Sequence, residues 1–205
     1  MIGVLMFEKS KIKMSFMFLR EVHLGDLSKH AWQFHTVHVC VGLIALFLSS
    51  QIFIPLEPVP ITLQSVGVML VAFSLPPKAA IHTIISYVLL GAMGLPLFGG
   101  FSGGMAVLAG HTGGYLIGFI PAVYVMSKAK TFLDMSSSWK IFVNCVLGSL
   151  CIYSFGVTWL AYHLGSFDKA IVAGLMPFIF PGLIKAGLLS LSLCYIHRDL
   201  DKEGA

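Results

Sequence analysis

Charge is what this sequence has least of. Asp, Glu, Lys and Arg make up 11% of its 205 residues, against about a quarter in an ordinary soluble domain. From Ala79 to Ser127 none of the four occurs. That run is longer than one bilayer crossing of about 20 residues and long enough for two with a loop between them. With 57% apolar residues and a mean hydropathy of +0.90, the composition excludes a soluble globular domain. No shift in composition marks a second one. The net charge of +4 does not point to nucleic acid. The basic residues lie at the ends of apolar segments and form no aromatic-interleaved patch, so membrane topology accounts for them.

The patterns that carry chemistry are missing too. Cys40, Cys145, Cys151 and Cys194 fall inside apolar segments, where cysteine acts as a small hydrophobe, and their spacing fits neither a disulfide scaffold nor a zinc site. No metal is expected. No Gly-Lys-Ser or Gly-Lys-Thr closes a glycine-rich loop, which excludes the usual phosphate cradle. There is no His-Glu-x-x-His and no close pair of carboxylates within a crossing. No catalytic residue is assigned, and an enzyme is not expected. His82 reads as an interfacial or packing residue.

What is present is a series of apolar segments separated by chain breakers. Val37–Leu56 is closed by Glu57-Pro58-Val59-Pro60, Ile61–Leu75 is short and stops at Pro76-Pro77, and Ala79 to about Leu95 forms a third. A glycine-rich loop, Pro96–Thr112, leads to Gly113–Ser127. After a Lys128–Lys140 linker come Ile141–His163 and Ala170–His197. This predicts an all-α integral membrane protein with six transmembrane helices, arranged as a cytoplasmic extension over 1–36, a membrane domain over 37–197 and a tail over 198–205. With both termini cytoplasmic, Lys9, Lys11, Lys13, Arg20, Lys29, Lys78, Lys128, Lys130, Lys140, Arg198 and Lys202 fall inside and only Lys169 outside, as the positive-inside tendency requires. Residues before about Met17 read either as part of a cytosolic amphipathic tail or as lying upstream of the true start codon.

The unusual polar groups collect on the outer side. Thr62 and Gln64 open the second segment behind three prolines, supplying donors and acceptors on a restrained stretch. The loop that follows the third segment, with the start of the fourth, carries Gly100, Gly103, Gly104, Gly113 and Gly114 among Phe98, Phe101 and Tyr115. It reads either as a lid that closes over an apolar ligand or as a structural re-entrant connection. His111 is a ligand contact or a plain surface histidine. Lys185 stands alone within an apolar helix, where a charge is costly and tends to face a cavity or a partner, so it reads as an anion anchor. Pro177, Pro181 and Gly182 predict an outer-side break in that helix presenting Lys185 to a pocket. Gly42, Ala45 and Ser49 place small residues three and four apart on the first helix, for packing within the bundle or for docking a partner.

Three stretches in order, "IPLEPVPITLQSVGVML", "GAMGLPLFGGFSGG" and "GHTGGYLIGF", resemble the BioY family, the biotin-specific membrane subunits of energy-coupling factor transporters. The resemblance covers about Val37 to Ile196. It implies a six-helix, multi-pass capture subunit in a bacterial cell membrane that binds biotin and no cofactor of its own. Two cytosolic ATPase subunits use the ATP, and a transmembrane coupling subunit contacts the first helix, which makes Gly42, Ala45 and Ser49 docking residues. It implies that Lys185, Thr62, Gln64, Phe98, Phe101 and Tyr115 form parts of the pocket, with Tyr87 as a further lining residue. The family's last-helix motif reads Pro-Gly-Asp-x-x-Lys. Here the lysine is kept as Lys185, but position 182 is Gly182. That leaves open weaker binding, another polar group in the acid's place, or a different ligand. A capture subunit for another vitamin or small acidic solute is the alternative, and a membrane enzyme or scaffold on the same bundle is a third reading.

Overall fold

The computed structural model describes residues 31–132 and 137–203, with only the backbone described at 31, 32 and 197–203. Most of the predicted N-terminal extension, including Lys9, Lys11, Lys13, Arg20 and Lys29, lies outside the described residues. Helix α1 (Ala31–Ser50) begins six residues before the predicted segment. It also ends earlier than Leu56. Pro55, Pro58 and Pro60 cannot donate to a helical ladder, and Phe53–Ile54 (β1) instead pairs antiparallel with Ile61–Thr62 (β2), Phe53 opposite Thr62. Leu63 N donates to Ile52 O at 2.9 Å and closes the hairpin.

Helix α2 (Gln64–Ser74) has 11 residues, a rise of about 16 Å against a hydrocarbon core of about 30 Å. It therefore covers half the membrane depth. Its C-terminal carbonyls are taken by Lys130, whose Nζ donates to Phe73 O at 2.8 Å and to Leu75 O at 2.9 Å, a cation at the negative end of a helix. Helix α3 (Pro77–Ala92) starts on Pro77, a residue preorganised for a first helical position. A 3-10 turn (Gly99–Phe101) and the short helix α4 (Met105–Ala109) structure the glycine-rich loop. Helices α5 (Gly113–Phe132) and α6 (Ser138–Leu164) pack along one another. Their backbones come close where Gly118 meets Ile152, with Gly148 under the Met126 side chain, the small-residue packing that lipid surroundings favour.

The last predicted segment is two helices, α7 (Phe167–Gly174) and α8 (Met176–Glu203). Of Pro177, Pro181 and Gly182, expected together to break this segment, Pro181 and Gly182 do not, because α8 runs through both; the interruption falls at Leu175, beside Pro177. The cause is Pro177, which has no N–H to give to the Ala173 carbonyl, so the α7 ladder cannot continue.

Gln33–Ser50, Ser138–Leu164 and Phe167–Ile196 are each long and apolar enough to cross a membrane. The protein is an all-α integral membrane protein with at least these three long apolar stretches, the two-residue hairpin aside. Leu46, Val68, Ile84, Met126, Ile141 and Leu160 are buried between the helices. Outward-facing stripes are apolar as well, Val37, Val41, Ile44 and Leu48 on α1 and Ile184, Leu188, Leu191 and Tyr195 on α8, as lipid contact requires.

Candidate functional site

The half-length helix α2 leaves room at its N-terminal end, and a cavity of about 160 Å³ lies there. Its wall draws on the hairpin, the glycine loop and four helices: Thr62 from β2, Gln64 and Ser65 from the first turn of α2, Phe98, Gly99 and Ser102 from the glycine loop, Tyr115 and Phe119 from α5, Ile152 and Tyr153 from α6, and Phe178 and Lys185 from α8. Among the described residues that wall holds one cation, Lys185, and no carboxylate.

Lys185 is half-buried, and its Nζ donates to the Thr62 carbonyl at 2.6 Å. That bond ties α8 to the hairpin across 123 residues of sequence. An ammonium has three donors, so two remain for a ligand. The proline-rich hairpin is what turns the Thr62 carbonyl to Lys185, which explains why a rigid stretch precedes α2.

Gln64 is only 6% exposed. Its Nε2 donates to the Tyr87 hydroxyl at 2.6 Å, and that hydroxyl donates to Leu97 O at 2.7 Å. Tyr87, fully buried on α3, is thus behind the wall and holds Gln64, while Gln64 is in the wall. One Nε2–H is committed to Tyr87, leaving the carboxamide another donor and an acceptor.

The two loop phenylalanines separate. Phe98 is 2% exposed, lines the cavity and meets the Tyr87 ring edge-on at 5.5 Å. Phe101 is 65% exposed, outside the cavity wall, and its ring lies against Phe47 at 5.9 Å. Gly100 and Gly104 have φ of 68° and 94°, the left-handed backbone that glycine adopts without strain. A Cβ at Gly103 would run into the Leu95 carbonyl, one at Gly113 into the Leu108 carbonyl and one at Gly114 into Trp159. These glycines shape the loop and its landing on α5; they do not line the cavity.

Two clasps hold the loop that sequence reasoning did not find. Ser50 Oγ donates to Leu97 O at 2.8 Å, and Gln51 donates to Phe98 O at 3.2 Å while accepting from Phe101 N at 2.9 Å. On the far side Trp159 Nε1 donates to Gly110 O at 2.9 Å, and His163 Nε2 lies 2.7 Å from Ala109 O. His111 is exposed and faces His163, with ring centroids 5.5 Å apart, away from the cavity. His82 lies against His35, ring nitrogens 2.7 Å apart, linking α3 to α1.

Tyrosines are the other residues the sequence did not single out in full. Tyr115 lines the cavity as expected, and its hydroxyl donates to Gly174 O at 2.8 Å, capping α7 where Pro177 ends it. Tyr153 was not expected. Its hydroxyl donates to Phe178 O at 3.1 Å and would stand 2.5 Å from a Cβ at Gly182. The space beside Gly182, where the resemblance implies an acid, therefore holds a phenol oxygen. The only signal for this was an aromatic residue in an apolar helix, which is too common to read.

Among the α1 small residues, Gly42 packs against Thr83 and Leu75, and Ser49 lies over Gly67. Both are engaged inside the bundle, and Ala45 between them is half-buried. Among the described residues, no group of three or more His, Cys, Asp or Glu is placed to hold a metal ion.

The family model that matches is that of the BioY family, over residues 23–202. The chain belongs to the BioY family. A Rickettsia prowazekii protein named "Probable biotin transporter BioY" is 37% identical over 172 residues, 84% of this chain and 88% of that protein. A Thermotoga maritima protein named "Biotin transporter BioY" is 42% identical over 151 residues, 72% of this chain and 88% of its own length. Among solved structures, one titled "Crystal structure at 2.1 A of the S-component for biotin from an ECF-type ABC transporter" superposes with a TM-score of 0.75 at 21% identity, covering 84% of this chain and 95% of that one. That likeness shows a shared fold.

Proposed function

We propose that this chain captures biotin at the outer side of the cell membrane and serves as the substrate-specific subunit of an energy-coupling factor transporter. The observation that carries the reading is the cavity of this BioY family member, in which one cation, one fixed carboxamide and aromatic walls converge. Biotin has matching parts. Its carboxylate needs a cation, its ureido ring needs both donors and acceptors, and its thiophane ring and valeryl chain need apolar surroundings. In this reading Lys185 takes the carboxylate, Gln64 meets the ureido ring, and Phe98, Tyr115 and Phe119 enclose the apolar body. Thr62 acts through its backbone carbonyl by aiming Lys185, and Tyr87 acts by holding Gln64.

The membrane domain runs over about 37–197 with six crossings, and both 1–36 and 198–205 face the cytoplasm, the arrangement that gathers the basic residues on one side. Transport then uses a transmembrane coupling subunit and two cytosolic ATPases, which bind the ATP that this chain does not. The coupling subunit docks along α1 beside Ala45, where Val41, Ile44 and Leu48 present an apolar surface and Gly42 and Ser49 keep α1 close to its neighbours.

Uptake of labelled biotin by cells expressing the chain, with and without the three partner proteins, tests this. The reading expects saturable biotin accumulation that rises when the partners are supplied. Accumulation of another small acidic solute in place of biotin would replace the substrate while keeping the fold.

A further inference from the structure

We propose that the Tyr153 hydroxyl contacts the ligand, donating to the same ligand oxygen that Lys185 holds, and that residue 182 is glycine to admit it. The ligand's identity here rests on the biotin reading; the notch itself does not. Tyr153 lines the cavity from α6 and Lys185 lines it from α8. Gly182 and Lys185 are three residues apart on α8, so they share a face. A hydroxyl seated over Gly182 therefore addresses the same end of the cavity as the Lys185 amine.

The hydroxyl's own bond is loose. It reaches Phe178 O at 3.1 Å, whereas an O–H···O bond is usually about 2.7–2.8 Å. A carboxylate oxygen is a stronger acceptor than a backbone carbonyl, so a bound anion draws the phenol proton away from Phe178. The fit at Gly182 has no slack. Gly182 is buried, and a Cβ there would stand 2.5 Å from the Tyr153 oxygen, with the ring's own carbon next at 3.7 Å. The obstruction is to the hydroxyl alone. Tyr153→Phe would leave room for an alanine at 182.

That asymmetry makes a double-variant cycle decisive. Biotin is titrated into full-length protein in detergent for the native chain, Tyr153→Phe, Gly182→Ala and the pair combined, and ligand-free melting temperatures are recorded for all four. Tyr153→Phe should weaken biotin binding about tenfold, the loss of one hydrogen bond to a charged group. Gly182→Ala should cost a comparable factor in the native background and little in the Tyr153→Phe background. Tyr153→Phe binding biotin as tightly as the native chain would overturn the contact. Equal losses from Gly182→Ala in both backgrounds would overturn the notch. If the native chain binds no biotin, the substrate reading fails by itself, and the notch is still judged by melting temperature: Gly182→Ala lowers it when Tyr153 is present and spares it when Tyr153→Phe is combined with it, and an equal drop in both overturns it.

Discussion

Lys185 and Thr62 meet at 2.6 Å, side-chain amine to backbone carbonyl, so the lysine of the last helix is held by the hairpin that precedes α2. The bond fixes a cation at the cavity without cancelling its charge, because a carbonyl accepts a proton but carries no negative charge. Replacing Lys185 with Met removes the cation and leaves the Thr62 carbonyl unpaired. Biotin affinity should fall about 10- to 100-fold, the range for a charged hydrogen bond, and biotinamide, which has no carboxylate, should lose much less. Equal losses for both ligands in calorimetric titration would remove the anion-anchor role.

Tyr87 supports the site from behind. Tyr87→Phe deletes a hydroxyl that serves Gln64 on one side and Leu97 on the other; Leu97 O keeps its bond from Ser50, but the buried Gln64 carboxamide loses its partner at a cost of about 1–3 kcal/mol. The variant should melt lower in detergent and bind biotin more weakly, while Phe101→Ala, whose ring is outside the wall, should leave affinity near native. The reverse ranking would mean that Phe101 folds into the cavity.

The loop clasp at Trp159 should govern release. Trp159→Phe removes the bond to Gly110 O and keeps most of the ring. Stopped-flow measurements should show biotin dissociating several-fold faster with little change in association, since the clasp acts on the closed loop. An unchanged dissociation rate would make the loop a static wall.

Two glycines separate backbone need from open space. Gly104 has φ of 94°, whereas Gly187 on α8 has nothing within 4 Å of a Cβ. Gly104→Ala should destabilise by about 1 kcal/mol or more, and Gly187→Ala should be neutral or stabilising by up to about 1 kcal/mol. Melting curves that rank the two the other way would contradict the loop geometry.

The topology has its own check. Lys169→Cys should react with a membrane-impermeant maleimide applied outside intact cells, and Lys128→Cys should react only after permeabilisation. The opposite pattern would invert the proposed orientation.

Much of this was legible because lipid and proline leave strong marks. An uncharged run, a doubled proline and a lone lysine in an apolar helix each have few physical explanations, and Lys185, Gln64, Phe98 and Tyr115 all reach the cavity wall. Other features were hidden because they depend on what lies opposite. The three prolines before Ile61 promised rigidity, but only the paired hairpin shows the Thr62 backbone, not its hydroxyl, as the group that meets Lys185. Pro177, Pro181 and Gly182 all looked able to break the last segment, yet Pro177 is the one whose missing N–H falls where α7 has to end. Phe98 and Phe101 are the same residue type in the same loop, and a turn through Gly100 sends one inward and one outward. Tyr153 became visible only once Gly182 was placed beneath it.

The most direct measurement is an equilibrium titration of biotin into the purified full-length protein in detergent. The account predicts saturable binding with a dissociation constant below micromolar, weakened by Lys185→Met. Absence of binding in that range, or tight binding that ignores the loss of Lys185, would contradict it.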